Sequence, residues 1–292
     1  MNAALAAPTS PARALPPSVA DSEREFSFGT ADFERVRQLI YQRAGINLQA
    51  GKQAMVYSRL SRRLRETGHG SFADYLQWLE RGAGGDAEWQ EFINCLTTNL
   101  TSFFREEHHF PLLAQALQAR RGKPVRIWCS AASTGEEPYS LAMTVAETLG
   151  SGADCRILAT DIDTNVLATA ARGVYDASAR GLSPERLKAH FLRGTGANAG
   201  AIRVKPELAR LIEFRAFNLM SPQWSFGESF DIVFCRNVMI YFDAPTQRRV
   251  LENIHRTMKA GSALFVGHSE NFSDARELFR LRGKTVYERL GA

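Results

Sequence analysis

The residues able to do chemistry in this 292-residue chain are gathered in a few short strings. TTNLTSFFRE, residues 97–106, sets hydroxyls, the Asn99 amide, two phenylalanines and the Arg105 guanidinium side by side. SAASTGEEPYSLA, residues 130–142, follows an apolar run with small residues that let a ligand approach the backbone. It then places Glu136 and Glu137 ahead of Pro138, a residue suited to the first turn of a helix. Two carboxylates at a helix N-terminus sit well with the helix dipole but repel a phosphate placed there. That position therefore suits a nucleoside carrying a cationic or amino group better than a dinucleotide. Asp161 closes the next apolar run, 26 residues after Gly135, where a carboxylate can accept hydrogen bonds from ribose hydroxyls. Asp163 directly precedes TNVLATAA and reads as the helix N-cap. Ribose recognition without a pyrophosphate site, combined with an amino group, points to S-adenosylmethionine.

CRNVMIYFD, residues 235–243, puts Arg236 and Asn237 where a strand gives way to a loop, with Tyr241 just beyond. Buried polar side chains there need partners, which a ligand would supply; pairing of Arg236 with Asp231 or Asp243 is the scaffolding alternative. AFNLMSP, residues 216–222, offers Asn218 at a similar strand end, either for the adenine or as an ordinary turn residue. His268 and Glu270 in GHSENF are two residues, too few for a metal site, and read as loop architecture. The four cysteines, Cys95, Cys129, Cys155 and Cys235, contain no C-x-x-C pair and read as buried reduced thiols.

The elements that must position these groups fall into two textures. Residues 1–25 are rich in Ala and Pro and read as a flexible tail. From 26 to 100 the spacing predicts an all-helical domain. Its first helix carries Phe33, Val36, Leu39, Ile40 and Ala44 before Gly45. A second runs from about Lys52 to Thr67, a third opens on a Ser71 cap, and a fourth runs from about Asp86 to Leu96. Lys52, Arg59, Arg62 and Arg63 gather on one side of the second helix. Residues 101–292 alternate strands (VRIWC, RILAT, FDIVFC, SALFVG, TVYERL) with helices, predicting an α/β domain with a mostly parallel sheet. Ligands of such sheets bind at the carboxyl ends of the strands. Residues about 181–216 break the alternation and read as a small antiparallel insertion. The net charge of +5 favours an acidic partner weakly. No run is long enough to cross a bilayer, so a cytoplasmic protein without membrane insertion is expected, and Asn99-Leu100-Thr101 and Asn271-Phe272-Ser273 are not expected to carry sugar.

Taken in order, TTNLTSFFRE, AASTGEEPYSLAM, ATDID, FCRNVMIYFD and GHSENF resemble the bacterial chemotaxis receptor methyltransferases, the CheR family, over about residues 26–290. The resemblance implies a helical N-terminal domain and a Rossmann-type methyltransferase domain with a small inserted β-subdomain. It also implies transfer of a methyl group from S-adenosylmethionine to glutamates on the cytoplasmic helices of chemoreceptors, with S-adenosylhomocysteine as product. Carried over residue by residue, Asn99, Thr101, Arg105, Glu136 or Glu137, Asp161, Asn218, Leu219, Arg236 and Asn237 fall on cofactor-contacting positions. Arg105 and Tyr241 fall on the pair assigned to methyl transfer. The basic helix, with Arg59, Arg62 and Arg63, falls on the substrate-gripping helix. The loop RGTGANAG, residues 193–200, is full length, which in the family goes with docking on a pentapeptide tether at a receptor C-terminus. A monomer is implied. The chain lacks the D/N-P-P-Y/F segment of amino-methylating DNA enzymes, so nucleic acid is not an expected partner. No metal is expected either: a glutamate carboxylate, with its reference pKa of ~4.3, is already the nucleophile at neutral pH and needs no general base.

Overall fold

The computed structural model describes residues 25–150, 152–272 and 275–291. The tail expected at 1–25, apart from Glu25, and Ser273 lie outside the described residues.

Helix α1 (Thr30–Ala44) buries Phe33, Val36, Leu39, Ile40 and Ala44, and Gly45 stops it at φ 71° by turning its N–H onto the Tyr41 carbonyl. Helix α2 (Gln53–Thr67) stops at Gly68, φ 74°, by the same device. Helix α3 (Phe72–Glu80) opens on Ser71, whose hydroxyl accepts the Asp74 N–H, and α4 (Gly85–Leu96) follows. The four share a core of their own, in which Phe28 packs on Phe72 at 4.4 Å between ring centroids. Burial of each such Leu or Phe contributes roughly 2–3 kcal/mol, which lets a short helical cluster hold its shape.

Helix α5 (His109–Gln118) leads into β1 (Val125–Cys129), α6 (Glu136–Leu149), β2 (Cys155–Asp161) and α7 (Thr164–Arg172). Next come β3 (Val174–Asp176), α8 (Pro184–His190), β4 (Phe191–Arg193), β5 (Ala201–Val204), α9 (Pro206–Ala209) and β6 (Ile212–Ala216). The chain ends with β7 (Phe230–Cys235), α10 (Ala244–Thr257), β8 (Met258–Val266), β9 (Phe279–Gly283) and β10 (Val286–Arg289). Seven strands form one sheet in the order β6-β2-β1-β7-β8-β10-β9. The first five are parallel, and β10 runs antiparallel between β8 and β9. This is a Rossmann-type α/β fold. Every residue of β7 is buried, as the unbroken apolar run FDIVFC requires of a strand covered on both faces. The chain leaves β1 toward β2 on one side and returns to β7 on the other, so a topological switch point opens at their carboxyl ends. Among the described residues no helix is long and apolar enough to cross a membrane.

Three local expectations change. Strands β3, β5 and β4 form the small antiparallel sheet, which therefore starts at Val174, ahead of the boundary at 181. Ile212–Ala216, placed inside the insertion by sequence, instead pairs in parallel with β2 as the edge of the large sheet. Its half-exposed alternation is that of an edge strand, and nothing local distinguishes it from a strand of the insertion. Helix α5 and strand β9 were not anticipated; α5 is mostly apolar and buries Phe110, Leu113 and Leu117 in the core, while β9 is a largely exposed strand at the edge of the sheet.

Candidate functional site

A cavity of about 490 Å³ lies at the carboxyl ends of β1, β2 and β7, roofed by the α1–α2 connection and by Met55 and Arg59 of α2. Its volume is within the range of small-molecule sites, roughly 300–1,000 Å³. The helical cluster is stitched across it. Asn47 donates its backbone N–H to the Tyr241 carbonyl at 2.8 Å, and Asn94 exchanges hydrogen bonds with Thr164. Asp163 caps α7 with Oδ1, as its position predicts, and takes the Thr97 hydroxyl (2.6 Å) and the Asn99 amide (2.8 Å) on Oδ2. The Asn99 carbonyl accepts from Ser133 Oγ at 2.9 Å. The segment 97–101 is thereby fastened to the turn after β1 and to the start of α7.

Behind that segment sits a buried charged cluster. Arg236, its side chain 1% exposed, donates from Nη1 to Glu137 Oε2 at 2.7 Å and from Nη2 to the Arg105 carbonyl at 2.6 Å. Glu106 Oε2 lies 3.3 Å from the same guanidinium. The Cys129 thiol points to the other Glu137 oxygen at 3.3 Å. Burial pushes the Glu137 carboxyl above its ordinary range while the Arg236 charge opposes that shift. Burial works the same way on Glu106, but there the Arg236 charge and hydrogen bonds from Asn237 and His268 prevail and hold it at about 2. Asp161 is pushed up to about 6 by burial, against the backbone N–H groups of Asp163 and Ser133 that its two oxygens accept. Glu270 takes the N–H groups of Gly267, Asn237, Val238 and Met239 on its carboxylate, so it builds the loop after β7. Gly267 has no room for a side chain, since a Cβ would stand 2.5 Å from Asn237 Nδ2.

The backbone stores strain in the same place. Phe104, Glu106, Ser133 and Asn237 hold φ between 48° and 57°, a conformation that costs a non-glycine residue on the order of 1–3 kcal/mol. All four flank the cavity. Phe103 and Phe104 are buried and serve as packing: Phe103 meets Tyr175 and Phe191 edge-on, and Phe104 lies between Phe110 and the Arg186 guanidinium.

The structure brings Asn99, Thr101, Arg105, Glu137, Asp161, Leu219, Arg236 and Asn237 into the cavity wall, with Asn218, Tyr241 and Arg59. Glu136 is not in that wall; its carboxylate accepts from the Thr134 hydroxyl. Asn218 donates to the Arg43 carbonyl and accepts the Met220 N–H, a bridge between helices and sheet. The basic residues of α2 separate. Lys52 and Arg62 stay exposed, while Arg59 donates to the carbonyls of Cys95 and Thr97. Arg63 turns inward to Glu88 and Glu66. Arg236 meets neither Asp231 nor Asp243: Asp231 binds Lys259, and Asp243 caps α10 and accepts from Tyr41. Glu270, read from the sequence as loop architecture, does build its loop, whereas Glu106 went unrecognised as a site builder; its one local sign is its place beside Arg105.

The donor set fits S-adenosylmethionine. A carboxylate offers about four acceptor positions, and the Asp161 oxygens each use one for backbone, leaving capacity for a ribose diol. Glu137, ionised at a cost, gains from a cationic neighbour. The small residues Ser130, Ala131 and Ser133 leave the intervening wall open to close approach.

Comparison with known proteins agrees. Residues 99–288 match the model of the CheR methyltransferase SAM-binding domain, and residues 31–97 that of the CheR methyltransferase all-alpha domain. The chain is 51% identical to the chemotaxis protein methyltransferase of Klebsiella aerogenes over 92% of its own length and 93% of the relative's. It is 51% identical to chemotaxis protein methyltransferase 2 of Pseudomonas aeruginosa, over 93% and 97%. Identity to the chemotaxis protein methyltransferase of Escherichia coli is again 51%, over 88% and 90%.

Proposed function

The chain belongs to the CheR methyltransferase family, whose reaction is methylation with S-adenosylmethionine in chemotaxis, and we propose that its acceptors are glutamate side chains on chemoreceptor cytoplasmic helices. The products are glutamyl methyl esters and S-adenosylhomocysteine. The observation that carries this reading is the placement of Arg105 and Tyr241 in one cavity wall with Asp161 and the Glu137–Arg236 pair.

When bound, the cofactor supplies a methyl group made electrophilic by its sulfonium. Asp161 would take the ribose hydroxyls, and Glu137 the amino group. A glutamate substrate, reference pKa ~4.3, arrives ionised, so the chain has to orient and desolvate it rather than deprotonate it. Arg105 is half-buried and spends one guanidinium N–H on the Leu100 carbonyl at 2.8 Å. Its remaining donors can take a carboxylate in a planar fork. Tyr241, fixed through its backbone carbonyl by Asn47, orients the second oxygen. The exposed Lys52 and Arg62 attract an acidic helix toward the opening. The β4–β5 loop, with its short helical turn at Gly196–Asn198, is the place for a receptor C-terminal pentapeptide, and deleting residues 194–200 should abolish that binding.

Incubation with methyl-labelled S-adenosylmethionine and receptor-bearing membranes tests the reading. Base-labile label on receptor, released as methanol, is the expected result; label in nucleic acid, or no transfer, overturns it.

A further inference from the structure

We infer that Glu106, which is not part of the cavity wall, is a positioning residue: its carboxylate holds Arg236 and Asn237 where Arg236 can fix the backbone carbonyl of Arg105. The inference rests on the reading that Arg105 acts in methyl transfer.

The Glu106 side chain is 10% exposed and joins three separate loops. Oε1 accepts from Asn237 Nδ2 at 3.2 Å, in the loop after β7, and from the His268 backbone N–H at 3.3 Å, in the loop after β8. His268 Nδ1 also lies 3.3 Å away. Oε2 faces the Arg236 guanidinium at 3.3 Å and His109 Nδ1 at 3.7 Å. Arg236 is thus clamped between Glu106 on one side and Glu137 on the other, and the Nη2 nearer Glu106 is the atom that donates to the Arg105 carbonyl.

The chain itself makes Arg105 dependent on this clamp. Its neighbours Phe104 and Glu106 both hold left-handed backbone, φ 50° and 55°. The upstream side is pinned where the Phe104 N–H meets Ser140 Oγ at 2.9 Å. The downstream side is pinned by the Glu106 carboxylate. Without the second pin, only the His109 N–H on the Glu106 carbonyl and an Arg236 held from the Glu137 side alone maintain the left-handed turn against the ordinary preference of a non-glycine residue. The peptide then relaxes, and the Arg105 side chain leaves with it. Glutamine at 106 keeps the size and the acceptor at Oε1 but removes the charge facing Arg236.

The experiment is a double-mutant cycle on Glu106→Gln and Arg105→Ala, read by receptor-methylation kcat, by Kd for S-adenosylhomocysteine and by thermal midpoint. Glu106→Gln is expected to lower kcat about tenfold and Arg105→Ala about a hundredfold, with the double variant within about twofold of Arg105→Ala. Product Kd should stay within about threefold in Glu106→Gln. Losses that multiply, a wild-type kcat in Glu106→Gln, or a lost product affinity with kcat retained would each overturn the inference. If Glu106→Gln does not fold, Glu106→Asp, which keeps the charge but withdraws it by one methylene, runs the same cycle with a smaller expected loss. A wild-type enzyme that fails to label receptor, or an Arg105→Ala variant at full rate, would instead overturn the reading on which the inference rests.

Discussion

Arg63 and Arg236 are each held between two glutamates, and they serve different ends. Arg63, on α2, donates to both oxygens of Glu88 and to Glu66, and the Tyr75 hydroxyl adds a bond to Glu88 at 2.7 Å. Every guanidinium nitrogen is engaged. Arg236 meets Glu137 and Glu106, yet its Nε, Glu106 Oε2 and His109 Nδ1 are buried with no hydrogen-bond partner. Each group of three carries one cation against two carboxylates. Around Arg63 the surplus negative charge is both compensated and hydrated, because Glu66 also pairs with Arg62 at 2.7 Å and its side chain is 40% exposed. Around Arg236 it is buried beside a cavity, so a cationic ligand relieves it. On the proposed reading, the same charge pattern is scaffolding where water and a second cation reach it and a binding device where they do not.

The sharpest way to break that contrast is to remove each arginine. Arg236→Ala leaves two buried carboxylates facing each other, and should cost roughly a thousandfold in kcat/KM together with affinity for S-adenosylhomocysteine. Arg63→Ala should lower stability by about 3 kcal/mol and leave product affinity untouched. Calorimetric titration and thermal melting of both variants decide it; an Arg63→Ala protein that loses product binding would show the two clusters to be alike.

Next in size is Arg105→Ala, expected to lower kcat about a hundredfold; on the proposal that its guanidinium takes the acceptor carboxylate, product Kd stays nearly unchanged, whereas a lost product affinity would return it to the cofactor contact that the resemblance implies. Single-turnover measurement at saturating cofactor separates these. Smaller again is charge reversal at Lys52 and Arg62, the exposed members of the basic group Lys52, Arg59, Arg62 and Arg63. Lys52→Glu with Arg62→Glu should raise receptor KM about tenfold and leave kcat within about twofold. A fall in kcat without change in KM would remove α2 from substrate capture.

Apart from Arg105→Ala, these variants differ from those the sequence alone would select, and the reason is range. Helix α1 and its Gly45 stop, the Asp163 cap and the strand ends at Asp161 and Arg236 were legible because each depends on residues within one turn or one pleat. The partners of Arg63 and Arg236 were not, because Glu88 lies 25 positions away and Glu137 lies 99. Spacing on a helical wheel grouped Arg63 with the exposed cations; only the packing of α2 on α4 turns it inward. The choice between Glu136 and Glu137 stayed open for a similar reason, since one residue of rotation around α6 decides which carboxylate meets Arg236. The edge strand β6 was assigned to the insertion because its pairing with β2 spans some fifty residues of intervening chain.

The last and smallest effect concerns His109, which stands behind Glu106 and has no counterpart around Arg63. Burial and the Arg236 charge hold its imidazole at about 3, far below the ordinary 6.5, so it is neutral in the folded protein, with Nε2 on the Thr285 hydroxyl at 2.7 Å. The unfolded chain takes up a proton near 6.5 that the folded chain refuses until about 3. Stability from this group is therefore complete above pH 6.5 and is lost as the pH falls toward 3. Between pH 7 and 5.5 the loss amounts to about 1 kcal/mol, or roughly 2–4 °C in thermal midpoint. His109→Gln, which keeps a donor for Thr285 but cannot titrate, should flatten that slope relative to wild type, whereas Arg63→Ala should preserve it. A wild-type midpoint that does not move over this interval, or a His109→Gln protein with the wild-type slope, would mean that the imidazole is not held neutral by its buried position beside Arg236.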